Sequence, residues 1–366
     1  MKVLLLVPYC GGSHRAWAEG YKLHSEHDVS LLALPARFWK WRMQGGAVTL
    51  AEKARQLAVR PDLILATDMV NLPAFLALTR DFLADVPVAL YCHENQLTYP
   101  FPPGEKRDLT YGMINWLSML VADRVFFNSR YHLEDWFDAL PNMLKHFPDY
   151  SHTHRIQEVR ARASVLPVGC ALAGLDQAAR PREPELPPVI LWNQRWEYDK
   201  DPETFFCALY ALDEAGAEFR VVIAGRSHRR TAPEFETARQ QLGSRVIHFG
   251  YVDRVRYSEL LWRSDIVVST AIHEFFGVAV VEAVYAGCFP VLPRRLSYPE
   301  LIPESLHGLC LYDSFRDLVG RIRWALEQRG RARLVAKQLR MAARRFDWSE
   351  VAPLYDRQAR GVARGL

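Results

Sequence analysis

The feature that most constrains this chain is a series of short, uninterrupted apolar segments, each closed by a polar or glycine turn and followed by a helix-length stretch. Lys2–Pro8 runs into Cys10-Gly11-Gly12-Ser13-His14, with a helix expected from about Arg15. Val29–Leu34, Leu63–Ala66, Val88–Tyr91 and Arg124–Phe127 repeat the pattern, with helices expected from Leu72, over Tyr111–Leu120 and from Tyr131. Strands that are apolar at every position are buried on both faces, and strands alternating with helices build a parallel sheet covered on both sides. Arg180–Pro188 breaks the rhythm with Pro181, Pro184, Pro187 and Pro188, the composition of a linker. The alternation then restarts: strands over Val189–Asn193, Phe219–Ala224, Val246–Phe249, Ile266–Ser269 and Phe289–Leu292, helices over Pro202–Glu214, Glu234–Leu242, Tyr257–Arg263 and Val278–Ala286. The expected fold is α/β: two Rossmann-like domains, their parallel sheets facing across a cleft at the strands' carboxyl ends. The expected boundaries are 1–178, a linker over 179–188, 189–345, and a helical segment over 346–366 that packs back on the N-terminal domain. A length of 366 residues, at roughly 150 per domain, fits two cores.

Composition narrows the setting. No apolar run approaches the roughly 20 residues needed to span a bilayer, and the apolar start has no small-residue cleavage site, so it reads as a first strand rather than a signal peptide. The six cysteines are scattered and form no CxxC, which suits reduced thiols in a cytoplasmic protein. The net charge of +4 is uneven: Arg321–Leu366 carries twelve Lys/Arg against four Asp/Glu, a net of +8, leaving the remainder at −4. That basic stretch is either a solvated helix face or a surface for a polyanion such as RNA. His146, His152 and His154 flank Asp149, but their spacing fits no usual zinc pattern and no metal is expected.

The densest chemistry lies in Glu274-Phe275-Phe276-Gly277-Val278-Ala279-Val280-Val281-Glu282. Glu274 falls on the loop after a strand and Glu282 about one turn into the next helix. Gly277 lets backbone approach a ligand, and the helix N-terminus favours a phosphate. Phe249-Gly250-Tyr251-Val252 precedes this run, and Trp192-Asn193-Gln194-Arg195 with Asp199-Lys200 ends an earlier strand. Together these stretches resemble the C-terminal domain of retaining glycosyltransferases of family four, which have the GT-B architecture. The resemblance implies a sugar-nucleotide donor and no metal or other cofactor. It implies that Glu274 positions the hexose, that Glu282 binds the ribose, and that Arg195 and Lys200 stabilise the leaving diphosphate. Tyr251, Phe275, Phe276 and Gly277 would line the donor subsite. Two fixed cations beside a departing diphosphate are physically sensible, because that group gains charge as the glycosidic bond breaks. Trp196-Glu197-Tyr198 is bulkier than the family's usual loop.

The N-terminal half carries the acceptor candidates. Gly11 and Gly12 form a strand-end turn that would face the donor phosphates, and Ser13 and His14 adjoin it. Leu34–Arg42 packs Phe38, Trp39 and Trp41 among Arg37, Lys40 and Arg42, a composition able to stack on bases and clamp phosphates, or simply to form an amphipathic loop over the domain edge. His93, Glu94, Asn95 and Gln96 close a buried strand. These stretches, with Asn71-Leu72 and Arg107-Asp108 before Tyr111-Gly112, resemble the tRNA-queuosine alpha-mannosyltransferase family over nearly the whole chain. The resemblance implies transfer of mannose from GDP-mannose, with retention, to the cyclopentenediol of queuosine at the wobble position of aspartate tRNA. The partners implied are queuosine-bearing tRNA and the sugar nucleotide, with no membrane. Ser13, His14, Lys40, Trp41, Arg42, Asn71, Glu94, Asn95, Gln96 and Arg107 would contact the acceptor, and His93 would support charge near the anomeric carbon, hydrogen-bond a sugar hydroxyl or merely orient its loop. Three other readings stay open: another acceptor such as a lipid carrier or glycan, a sugar-nucleotide epimerase, and an RNA-binding protein with a relic fold. The oligomeric state is not legible.

Overall fold

The computed structural model describes residues 1–100, 107–180, 185–226 and 233–365. The chain divides into two units, Met1–Cys170 with Trp348–Leu366, and Ala171–Asp347. The first contains β1 (Lys2–Cys10), α1 (Gly12–His24), β2 (Asp28–Pro35), α2 (Trp39–Ala54), β3 (Leu63–Thr67), α3 (Leu72–Leu83), β4 (Val88–Cys92), α4 (Leu109–Val121), β5 (Arg124–Phe127), α5 (Arg130–Lys145), α6 (Ile156–Ala161) and β6 (Ala163–Val165). The second contains β7 (Val189–Trp192), α7 (Pro202–Glu214), β8 (Arg220–Ala224), α8 (Pro233–Leu242), β9 (Val246–Gly250), α9 (Arg254–Arg263), β10 (Ile266–Val268), α10 (Val278–Tyr285), β11 (Phe289–Pro293), α11 (Tyr298–Leu301), α12 (His307–Cys310), β12 (Leu311–Tyr312), α13 (Phe315–Glu327) and α14 (Arg329–Ala343). The last helix, α15 (Trp348–Ala363), belongs to the first unit.

Among the described residues each unit builds one six-stranded sheet, and the pairings are parallel. The apolar runs explain why. Successive side chains of β1 go to opposite faces, Leu4 and Leu6 into one buried cluster and Val3, Leu5 and Val7 into another. Helices α2 to α5 cover the first face. Helix α1 covers the second, together with Trp348, Val351, Ala352, Tyr355 and Ala359 of α15.

Strand order positions the sites. The first sheet runs β2-β1-β3-β4-β5-β6 and the second β12-β11-β10-β7-β8-β9. The order reverses between β1 and β3 in the first and between β7 and β10 in the second. Open α/β sheets bind ligands at such switch points, beyond the strands' carboxyl ends. The loops after β7 and β10 carry Arg195–Lys200 and Glu274. The turn after β1 is Gly11, and Gly12, Ser13 and His14 begin α1.

Two expectations change, and a third lies partly outside the described residues. Residues 171–178 lie with the second unit, not the first, because Trp262 Nε1 donates to the Leu175 carbonyl at 2.7 Å and Asp176 accepts from Tyr285 Oη at 2.9 Å and Arg340 at 2.8 Å. Of the expected linker, residues 181–184 fall outside the described residues. The basic-aromatic stretch is not a loop from Trp39 onward but the first turn of α2, which buries Met43, Ala47, Leu50, Ala51 and Ala54 at helical spacing.

Candidate active site

In the second unit the strand-end loops assemble a charged cluster. Gly277 is the N-cap of α10 with φ of 92°, a left-handed conformation that favours glycine. That turn aims two backbone N–H groups at Glu274, whose Oε1 accepts from Gly277 at 3.1 Å and Phe276 at 3.4 Å. Its Oε2 meets Lys200 Nζ at 3.2 Å, and the side chain keeps 21% of its surface exposed. Burial pushes the Glu274 carboxyl up, but Lys200 and the helix N–H groups outweigh it and hold it below the ordinary range. Lys200 is held above its ordinary value: burial acts downward, and Glu274 and Asp199 overcome it. A lysine has three N–H donors. Lys200 Nζ donates to the His273 carbonyl at 2.8 Å and to Glu274 Oε2 at 3.2 Å, and lies in ion-pair range of Asp199 Oδ2 at 3.0 Å. Arg195 differs: its guanidinium lies 3.7 Å from Asp199 and is 48% exposed. His273 is pushed down to about 4, first by burial and then by Lys200, so it is neutral near pH 7.

Glu282 sits in a second network. It accepts from Arg254 Nη1 at 2.6 Å and faces the buried Tyr257 hydroxyl, to which Asn193 Nδ2 donates at 2.9 Å. Asn193 also reaches the Ala279 carbonyl at 2.8 Å, tying the end of β7 to the first turn of α10. Asp199, Arg254, Tyr257 and His273 are the partners that the sequence reading left out. Phe275 and Phe276 turn inward, onto His273 (ring centroids 4.5 Å) and Phe346 (5.2 Å), so a ligand would meet their backbone, not their rings. Tyr251 is exposed beneath the Arg226 guanidinium, 4.6 Å from its ring. The bulky Trp196–Tyr198 loop borders a cavity of about 440 Å³ lined by Glu197, Asp201, Glu203 and Glu234, the wrong sign for a diphosphate.

The first unit holds a different kind of cluster. Gly11 is extended and must lack a side chain because a Cβ there would lie 2.5 Å from Ala36 Cβ; Gly12 follows with φ of 53° and starts α1. His14 on that helix stacks on His93 with ring centroids 4.4 Å apart, and Trp17 and Tyr91 meet His93 edge-on at 4.6 and 4.8 Å. Neither ring nitrogen of His93 has a hydrogen-bond partner among the described residues. Burial, followed by the neighbouring His14 and His132, pushes it well below its ordinary value. A neutral His93 keeps a ring lone pair, so all three of its expected roles stay open.

Asp68, the residue after β3, is a further candidate that the sequence reading missed. It is buried beside the switch point; Oδ2 accepts the Glu94 N–H at 2.9 Å while Oδ1 has no partner among the described residues. Burial raises it from 3.8 to about 7. Asn115 Nδ2 donates to its main-chain carbonyl at 2.5 Å. A lone aspartate after a strand resembles any turn residue in sequence; only its burial distinguishes it.

Several acceptor candidates hold loops. Asn95 donates to Asp135 at 2.7 Å and accepts the Leu97 N–H at 2.8 Å. Arg107 donates to the carbonyls of Gln96 and Tyr99, both at 2.8 Å. Asn71 caps α3 through the Ala74 N–H at 3.2 Å. Ser13 and Lys40 are exposed, Glu94 and Gln96 half-buried. Lys40 Nζ lies over Trp39 and Tyr111, Trp41 is exposed, and Arg42 Nε donates to the Pro35 carbonyl at 3.2 Å. The basic C-terminal stretch is divided between the units, and much of it serves as internal braces: Arg333 on Asp265 at 3.2 Å, Arg340 on Asp176 at 2.8 Å, Arg345 on the Glu300 carbonyl at 2.6 Å. Among the described residues no group of three or more His, Cys, Asp or Glu could hold a metal ion.

Comparison with known proteins agrees with this division. Residues 2–170 match the family described as tRNA-queuosine alpha-mannosyltransferase N-terminal, and residues 176–345 match glycosyl transferases group 1. The chain is 35% identical over 314 residues to the tRNA-queuosine alpha-mannosyltransferase of Drosophila melanogaster, covering 82% of each. It is 28% identical over 159 residues, 43% of this chain and 40% of the relative, to a GDP-mannose-dependent alpha-(1-6)-phosphatidylinositol dimannoside mannosyltransferase of Mycobacterium tuberculosis. Among solved structures, sucrose-phosphate synthase from Thermosynechococcus elongatus superposes with a TM-score of 0.74 at 15% identity, covering 100% of both chains.

Proposed function

The chain belongs to the tRNA-queuosine alpha-mannosyltransferase family and is a glycosyltransferase, and from that premise we propose that it moves mannose from GDP-mannose to the cyclopentenediol of queuosine in tRNA, with retention at the anomeric carbon. The observation that carries the donor half is the pre-formed Glu274–Lys200–Asp199 cluster with the exposed Arg195 beside it. Glu274, fixed by two helix N–H groups and Lys200, keeps lone pairs for sugar hydroxyls. Arg195 meets the diphosphate, Lys200 holds Glu274 and adds positive potential, and Glu282 takes the ribose. The acceptor hydroxyl oxygen bonds to the anomeric carbon on the face from which the diphosphate leaves. The carbon–oxygen bond to the diphosphate breaks, and a diphosphate oxygen takes the hydroxyl proton. No covalent nucleophile and no metal enter this scheme, because the cations take the leaving-group charge.

The acceptor half rests on the first unit, whose N-terminal match is the tRNA-queuosine family. Exposed Lys40 and Trp41, with Arg42, would meet the tRNA, and Ser13, His14 and Glu94 the nucleoside. Among the described residues no helix is long and apolar enough to cross a membrane, and no disulfide forms; a cytoplasmic site of action is part of the proposal. The test follows GDP release from GDP-mannose with tRNA that carries or lacks queuosine, with chelator present. Release that depends on queuosine and persists in chelator is expected. Equal release from both tRNAs would refute the acceptor assignment.

A further inference from the structure

Phe38 occupies a position where the fold gains nothing from a large side chain. It is the N-cap of α2, its backbone is left-handed with φ of 51°, and it is 79% exposed. A bulky residue is strained in that conformation and a glycine is not. Strain normally persists where burial compensates it, and here none does. The packing task at this corner falls to its neighbour: Trp39 turns inward onto Tyr111 with ring centroids 4.8 Å apart. Phe38 and Trp41 lie three residues apart at the start of α2, and Trp41 is 61% exposed. The Trp41 ring passes close over Gly45, where a Cβ would lie 2.7 Å from it.

The charge around the pair selects the partner. From Val29 to Ala51 the chain has no Asp or Glu, while Arg37, Lys40 and Arg42 add three positive charges. The corner also joins the glycine turn of β1: Cys10 pairs with Pro35, and Ala36 is the residue that a Gly11 side chain would strike. We infer that Phe38, together with Trp41, forms a stacking platform for an unpaired base of the tRNA anticodon loop, with Arg37 and Lys40 meeting its phosphates. The inference rests on the tRNA reading above and deepens it by naming a specificity-determining residue. Aromatic side chains among cations hold single-stranded nucleic acid in this way, because every base offers a flat face. A membrane surface fits less well. The apolar face of α2 is buried in the first unit, and outward Gln44, Thr49, Glu52 and Lys53 leave only Phe38, Trp41 and Val48 as exposed apolar side chains, too few for an inserted apolar face.

Phe38→Gly is the decisive variant, since it removes the ring while relieving the backbone. Expected are an unfolding temperature at or above wild type, a KM for queuosine-bearing tRNA raised about tenfold, of the order of one lost stacking contact, and an unchanged KM for GDP-mannose. Phe38→Trp should restore the tRNA KM despite keeping the strain. An unchanged tRNA KM in Phe38→Gly overturns the inference, as does a fall in unfolding temperature, which would make the ring structural. So does pelleting of wild type, but not the variant, with phosphatidylserine vesicles while tRNA KM stays constant. If wild type transfers nothing to queuosine-bearing tRNA, the functional reading itself fails and the platform fails with it.

Discussion

The two clusters differ in how they hold buried charge. In the second unit Lys200, Asp199 and Glu274 neutralise one another, and Glu282 is met by Arg254 and Tyr257. In the first unit His93 has two unpartnered ring nitrogens and Asp68 one unpartnered oxygen among the described residues, and large aromatics lie exposed at the start of α2. The second-unit cluster is pre-organised by paired charge, which suits a ligand whose own charge changes during reaction. The first unit carries desolvated neutral groups and exposed aromatic surfaces, which suit a ligand read by shape, hydroxyls and stacking. The difference teaches that one chain can divide rigidity and adaptability between its halves, each set by what the ligand brings.

The contrast can be broken most severely at Lys200. Lys200→Ala strands Asp199 and Glu274 without their buried cation, and a loss of about 3–5 kcal/mol of stability is expected, together with loss of transfer. Urea unfolding measures it, and a loss below about 1 kcal/mol would show that the cluster is not held by pairing. Arg195→Ala should separate chemistry from folding. Its side chain is half exposed, so the unfolding midpoint should stay put while kcat at saturating donor falls about 10²–10³-fold; normal turnover would remove Arg195 from the diphosphate.

Asp68→Asn probes the other side. The folded carboxyl at about 7 stands above its unfolded value of 3.8. The stabilisation from its protonated form is complete below pH 3.8 and lost as pH rises through 7. Asp68→Asn should therefore be more stable than wild type at pH 8, by about 2 kcal/mol, with the gap closing toward pH 4. Thermal unfolding across pH reads this directly, and a constant gap would place the carboxylate in a paired environment.

These contrasts also show what sequence can carry. The strands were legible because a doubly buried strand must be apolar at every position, as Lys2–Pro8 and Val189–Trp192 are apart from the opening lysine. Helix α2 was not, because Gly45 and Gly46 are poor helix formers and its aromatic start hides the period; packing of Met43, Ala47 and Leu50 overrides propensity. Glu274 and Glu282 stood out through spacing on one loop and helix. Their partners did not, since Asp199 and Arg254 come from other strand ends and only the strand order brings them near. The inward turn of the Phe275 and Phe276 rings was not legible either, because adjacency to a motif does not say which way a ring points.

The most direct measurement is the nucleoside mass of queuosine-bearing tRNA after incubation with the protein and, separately, GDP-mannose, GDP-glucose, UDP-galactose and UDP-glucose. The account predicts one added hexose on queuosine with GDP-mannose alone, abolished by Arg195→Ala. Unmodified queuosine with every donor, or a hexose delivered from a UDP sugar instead, would contradict it.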